Sequence, residues 1–258
     1  MTCSCQQPQD WVLLETLAES RTVRVEKLCD SKGQELVRKS YNFPTAKDQL
    51  RGMLRGTLFG KAKAERELDH LELLQRAQVP AVVGVRACVN RNALGFVTDS
   101  HLITEASSGK TLAQSLTDQQ PPNTETWQSI GRSIARMHQV GFWHRGLAPR
   151  NLLILNQPPL HRWLDPAKSQ LFPRGIAQAA RADDLLRFWF SIHELVAQEH
   201  KDAFEEAYGQ EGVSTPDNVW PAIPKAKRAA TEQVLLRDAA RFEEASQSRR
   251  ATTTGSAS

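Results

Sequence analysis

Phe142-Trp143-His144-Arg145-Gly146-Leu147-Ala148-Pro149-Arg150-Asn151-Leu152-Leu153-Ile154 is a polar turn framed on both sides by apolar residues. An aromatic pair leads in and Leu152-Leu153-Ile154-Leu155 leads out, the pattern of a buried helix handing the chain to a strand. Between them stand a His-Arg pair, a glycine, and Asn151 five residues after that glycine. Asn151 brings a side-chain amide to this turn, whereas Gly146 offers no side chain at all. The plain alternative is a structural turn in which His144 satisfies a backbone carbonyl, so the surrounding sequence must decide.

The chain has 258 residues, 40% hydrophobic and 24% charged, which excludes global disorder and leaves room for one two-lobed domain or two small ones. Cys3, Cys5, Cys29 and Cys88 are scattered through a chain without a signal-peptide pattern, which predicts reduced thiols in a cytoplasmic protein. Cys3 and Cys5 lack the nearby His or Cys that would complete a zinc set. No apolar run approaches the roughly 20 residues that span a bilayer. The net charge is +4, and Arg51, Arg55, Lys61, Lys63 and Arg66 cluster with Glu65 as the one acid before Glu67. That cluster suits a solvated helix face, or contact with anionic lipid headgroups, a phosphorylated saccharide or nucleotide phosphates. Nucleic-acid binding is not expected, because the basic residues are not interleaved with aromatics and no reader motif occurs.

Upstream of the loop, Trp11 to Leu14, Thr22 to Leu28 and Glu35 to Lys39 predict three strands, the second with the alternation of a half-buried strand, with turn chemistry at Asp30-Ser31-Lys32-Gly33. Leu68, Leu71 and Leu74 recur at helical spacing from Ala62 to Ala77, and Val79-Pro80 ends the segment. Strands are expected again at Ala81–Val85, Leu94–Thr98 and Leu102–Thr104. A helix from Thr124 to Val140, with Trp127, Ile130, Ile134 and Met137 on one stripe, delivers the chain into the loop. Further helices are predicted at Ala182–Gln198, Asp202–Tyr208 and Lys225–Ala245, before a polar tail from Ser246 with nothing to bury.

With these elements around it, the loop has the spacing of the protein kinase catalytic loop, H-R-D-L-x-x-x-N. There the Asp orients the attacking hydroxyl and the Asn holds a metal ion on the ATP phosphates. Asn151 is kept and the acid is Gly146. The other kinase parts appear in order: Lys39 closing the third strand as the phosphate-binding lysine, Glu67 on the helix as its partner, with Glu65 as the rival, and Asp165 after Trp163-Leu164 as the second metal ligand. Glu105 stands where a kinase has the hinge that holds adenine. The expected fold is therefore α+β and protein kinase-like, two-lobed, with a small antiparallel sheet lobe plus one helix over residues 1–107. A mainly helical lobe would follow over 108–245, and a disordered tail over 246–258.

A narrower resemblance rests on Lys39-Ser40-Tyr41, the basic insert, Gly60-Lys61-Ala62-Lys63-Ala64-Glu65-Arg66-Glu67, Leu71, Leu74 and Val79-Pro80. With His144-Arg145-Gly146-Leu147-Ala148-Pro149-Arg150-Asn151, similar to H-[RK]-D-L-N-x-R-N, this resembles the bacterial lipopolysaccharide kinase family, the Kdo and heptose kinases of the inner core, over about Val23 to Leu195. The resemblance implies an ATP- and Mg²⁺- or Mn²⁺-dependent phosphotransferase acting on a sugar hydroxyl of a glycolipid core. It would work in the cytoplasm at the inner-membrane surface.

Three departures bear on activity. Gly146 cannot take a proton, Leu17-Ala18-Glu19-Ser20-Arg21 has no glycine where a phosphate-cradling turn is expected, and Pro166 follows Asp165, which predicts an extended Asp165. Asp183 and Asp184 are expected to brace the loop rather than replace its acid. The alternative function is a pseudokinase, a nucleotide-binding or scaffolding module for a partner protein. A small-molecule kinase of the aminoglycoside or choline type fits less well, because it lacks the pattern from Lys39 to Pro80.

Overall fold

The structure, a computed structural model, describes residues 11–43, 45 and 61–213. Arg51, Arg55, the Cys3-Cys5 pair, the helix expected at 225–245 and the tail lie outside the described residues. The chain divides into two compact units, Met1–Ser108 with Trp163–Ser169, and Gly109–Arg162 with Gln170–Ser258.

In the first unit, β1 (Val12–Glu19), β2 (Val23–Cys29), β3 (Glu35–Asn42), β4 (Gly84–Arg91) and β5 (Val97–Glu105) form an antiparallel sheet in the order β1-β2-β3-β5-β4. The β2–β3 turn closes on Asp30, whose carboxylate accepts from the amides of Lys32 and Gln34, both at 2.8 Å. The β1–β2 turn closes without glycine, on Ser20, whose amide donates to the Val23 carbonyl at 2.7 Å. Helix α1 (Lys63–Arg76) buries Ala64, Glu67, Leu71 and Leu74, one stripe at the spacing expected of a helix face, and packs on β4 and β5. One charged residue thus lies on an otherwise apolar stripe.

The two short strands expected at 94–98 and 102–104 give way to one strand, β5, which starts only at Val97 after a turn in which the Gly95 amide donates to the Asn92 carbonyl at 2.9 Å. Asp99, Ser100 and His101 look like a polar break in sequence, but neighbouring strands supply partners for the Asp99 and His101 side chains. Asn90 donates to Asp99 at 2.6 Å, and His101 meets the Ser40 hydroxyl at 2.9 Å. Residues 163–169 attach to this unit through backbone bonds, Val82 N–H to the Trp163 carbonyl at 3.1 Å and Trp163 N–H to the Pro80 carbonyl at 2.9 Å. Of the described cysteines, Cys29 is a free thiol and Cys88 is disulfide-bonded, against the expectation of reduced thiols throughout.

The second unit begins with β6 (Lys110–Thr111) and α2 (Leu112–Thr117), then α3 (Thr124–Gln139), β7 (Phe142–Trp143), β8 (Leu152–Ile154) and β9, which begins at His161. It continues through β10 (Gln170–Leu171), α4 (Gln178–Phe190) and α5 (Gln198–Gln210). Asn123 caps α3 by accepting from the Thr126 amide at 2.9 Å, and the predicted stripe of Trp127, Ile130, Ile134 and Met137 is fully buried. Trp127 stacks on Trp189 of α4, and Phe188 stacks on Phe204 of α5. The helix expected at 182–198 instead starts at Gln178 and stops at Phe190. Tight turns then carry Ile192 and Val196 into the core, so their apolar side chains, which read as more helix, are buried from a non-helical backbone. The helix expected at 202–208 runs from Gln198 to Gln210. Among the described residues no helix is long and apolar enough to cross a membrane.

Gly131 on α3 faces α5 so closely that a Cβ there would stand 2.5 Å from the Phe204 carbonyl oxygen. Gly131→Ala should therefore destabilise by about 1–3 kcal/mol through overpacking, although alanine in a helix interior ordinarily gains about 1 kcal/mol over glycine. Thermal melting of the variant decides between the two signs.

His161 is fully buried beside the Ser133 hydroxyl, and burial followed by the charge of Arg132 lowers its pKa to about 3. An unfolded chain protonates this imidazole near pH 6.5 while the folded chain does not, so the contribution is intact above that pH and lost as pH falls toward 3. His161→Gln should flatten the fall in stability across that window, read by denaturant unfolding at a series of pH values.

Candidate functional site

Strand β3 alternates its side chains, so Lys39 and Tyr41, two residues apart, share one face. Glu67 lies on the buried stripe of α1, and the short turn after Trp163 presents Asp165. The first unit brings all four together. The Lys39 ammonium donates to Glu67 Oε1 at 2.9 Å and to Asp165 Oδ1 at 2.5 Å, and the Tyr41 hydroxyl donates to Glu67 Oε2. Glu65, the rival for Lys39, instead accepts from the Ala62 amide at the start of α1 at 2.7 Å. Glu67 is 2% exposed, so a helix carboxylate out of water is held by a cation on one oxygen and a hydroxyl on the other.

The electrostatics follow from this packing. Burial works against the charge of Lys39, but Glu67 and then Asp165 outweigh it and leave the ammonium above the ordinary lysine range. Burial, reinforced by Glu67, drives the Tyr41 phenol far upward, so it stays a donor. In the sequence Tyr41 enters only through the Lys39-Ser40-Tyr41 resemblance, without a role at the site; its position two residues beyond Lys39 on one strand is the signal for that role.

Asp165 is not extended. It sits in the left-handed region at φ 52°, ψ 56°, with Pro166 opening a 3₁₀ turn. Proline disfavours helical conformations in the preceding residue, but Asp tolerates the left-handed region better than most residues. The tertiary contacts hold it there: the carboxylate is anchored by Lys39 and the Pro166 carbonyl meets His70 Nδ1 of α1 at 2.9 Å. Glu105 ends β5, and its amide donates to the Val83 carbonyl at 2.9 Å.

The second unit contains the opening loop. Asp184 of α4, fully buried, accepts from the amides of His144 and Arg145, both at 2.8 Å. The second of these bonds holds Arg145 in the left-handed region, with φ 58°, and its guanidinium lies over the Trp143 ring at 4.9 Å. Asn151 Nδ2 donates to the Gly146 carbonyl at 2.9 Å. His144 is fully buried, edge-on to Phe142. A Cβ on Gly146 would find its nearest neighbour, His144 Nδ1, at 3.5 Å, an ordinary contact, so the backbone there admits a side chain. Asp183, by contrast, pairs with Arg187 one turn on.

Chemically, the first unit offers a fixed ammonium beside a carboxylate that is 47% exposed. An ammonium suits phosphate oxygens, and a carboxylate open to solvent suits a hard divalent cation. Among the described residues no group of three His, Cys, Asp or Glu could enclose a metal. This donor set fits Mg²⁺, which typically takes one or two carboxylates and completes its shell with phosphate oxygens and water.

Asp184→Asn replaces an acceptor of two buried amide bonds and should cost about 1.5–3 kcal/mol, whereas Asp183→Asn should cost no more than about 0.5 kcal/mol. Paired thermal melts of the two variants test this difference.

A family model described as the lipopolysaccharide kinase (Kdo/WaaP) family matches residues 6–208. The chain is similar to 3-deoxy-D-manno-octulosonic acid kinase of Haemophilus influenzae strain PittEE, 27% identical over 118 residues, covering 41% of this chain and 49% of that protein. The same protein from strain 86-028NP gives the same values. The chain thus spans about half the length of the curated relatives it matches. In fold it is similar to WaaP solved in complex with acyl carrier protein, with a TM-score of 0.52, 16% identity, and 88% of each chain covered. The fold is accordingly α+β and protein kinase-like.

Proposed function

The chain belongs to the lipopolysaccharide kinase (Kdo/WaaP) family, and from that premise we propose that it is an ATP-dependent phosphotransferase whose acceptor is a sugar hydroxyl of a glycolipid core. The observation that carries this reading is the junction of Lys39 with Glu67 and Asp165. Lys39 would bind nucleotide phosphates with Glu67 fixing its head, and Asp165 and Asn151 would hold Mg²⁺ or Mn²⁺. The backbone around Glu105 would receive the adenine. When bound, the metal would supply charge neutralisation for the transferring phosphoryl group. Residues 1–107, joined by Trp163–Ser169, would act as the amino-terminal lobe and the rest of 108–245 as the helical lobe, in the cytoplasm at the inner-membrane surface.

Transfer should be slow. Gly146 stands where the family has its Asp, and loss of a positioned general base costs on the order of 10²- to 10⁴-fold. The same glycine, together with the engagement of Asp165 by Lys39, favours a second reading. In it the chain is a pseudokinase that binds nucleotide and serves a partner protein; acyl carrier protein, present with WaaP, is the first partner to test.

Thermal melting with ATP and Mg²⁺ or Mn²⁺ tests the first step, since a ligand at 100 times its dissociation constant stabilises by about 2.7 kcal/mol. Metal-dependent phosphate release should be weak in the parent, absent in Asp165→Asn and raised at least about tenfold in Gly146→Asp, a variant the backbone admits. Stabilisation without release in either the parent or Gly146→Asp selects the pseudokinase. No nucleotide effect at all sinks both readings.

A further inference from the structure

We propose that Lys63 is a second cation for the polyphosphate chain of a nucleoside triphosphate, acting beside Lys39 across the ring of Tyr41. The proposal rests on the nucleotide-binding reading above and adds a ligand to it.

Lys63 is the first residue of α1 and lies one turn before Glu67 on the same face. Its ammonium stands 4.3 Å from the centre of the Tyr41 ring, and the ammonium of Lys39 stands 5.4 Å from the same centre. One rigid, buried aromatic ring therefore holds two cations near each other. Their compensation is unequal. Lys39 meets two carboxylates, whereas Lys63 has no ion pair among the described residues. Lys61, two residues earlier, is exposed and pairs with Asp69 at 2.7 Å.

Three effects work against the charge on Lys63. It is half-buried, it feels the ammonium of Lys39 and, less strongly, that of Lys168, and it occupies the first turn of a helix, where the peptide dipoles disfavour a cation. Burial and then Lys39 lower its pKa, with Asp165 and Glu67 opposing them only in part. A lysine stem is long enough to carry its head into water, yet this one is laid over Tyr41. A polyanion relieves all three effects at once, and two cations around one ring can meet oxygens of adjacent phosphates.

Isothermal titration of the full chain with ATP and Mg²⁺ tests the proposal in the parent, Lys63→Gln and Lys63→Arg. Lys63→Gln should bind ATP about tenfold more weakly, as expected for one charge-assisted contact, with AMP affinity unchanged and Lys63→Arg close to the parent. A second measurement is independent of the folding of Lys63→Gln. Parent affinity for ATP should fall with rising pH, beginning below the ordinary lysine range, and in Lys63→Arg this fall should be absent, because the guanidinium keeps its charge. Equal ATP affinity in parent and Lys63→Gln, equal weakening for AMP, or identical pH profiles in parent and Lys63→Arg overturns the proposal and leaves the nucleotide reading standing. A parent that binds no ATP overturns that reading and this one together.

Discussion

The half-buried ammonium of Lys39 is neutralised by two carboxylates, and that pairing organises the first unit. Its partners come from 28 and 126 residues away in sequence, so the pairing ties β3 to α1 and to the segment that carries Asp165. Charges withdrawn from water are costly unless paired and hydrogen-bonded on every side. That requirement accounts for Tyr41, whose hydroxyl takes the Glu67 oxygen that Lys39 leaves open. It also accounts for a glutamate on the apolar stripe of α1.

The loop of the second unit solves a different problem. Its tight path puts Arg145 in the left-handed region, which a non-glycine residue adopts only when its surroundings hold it there. Asp184 provides the hold by accepting two successive amides, and Asn151 fastens the Gly146 carbonyl. None of these bonds uses a side chain at position 146. The loop keeps its shape with glycine at position 146, so its fold does not depend on a side chain there.

Much of this was legible in the chain. The period-2 pattern at 23–28 and the helical stripes at 68–74 and 127–137 depend on local spacing, and each produced its element. Lys39, Glu67 and Asp165 could be nominated because their order and elements matched a known arrangement of phosphate-binding parts. Local patterns failed where tertiary contacts override them. The polar run Asp99-Ser100-His101 continues a strand because it is paired on both sides, with β3 and β4, and these strands supply partners for Asp99 and His101. Ile192 and Val196 look helical but are buried from turns. Asp165 is left-handed despite Pro166, since long-range contacts outweigh the local steric preference.

By itself the sequence determined most of the described elements, their order and the spacing of the loop from His144 to Asn151, because these are carried by residue identity and short-range spacing. Only the tertiary structure decided that Glu67 rather than Glu65 meets Lys39, that Tyr41 completes the pair, that Asp184 rather than Asp183 braces the loop, and that Lys63 lies over the Tyr41 ring. The physical reason is the same in each case. Ion pairs and buried hydrogen bonds are set by distance and desolvation, and those depend on which faces pack together rather than on neighbours in the chain.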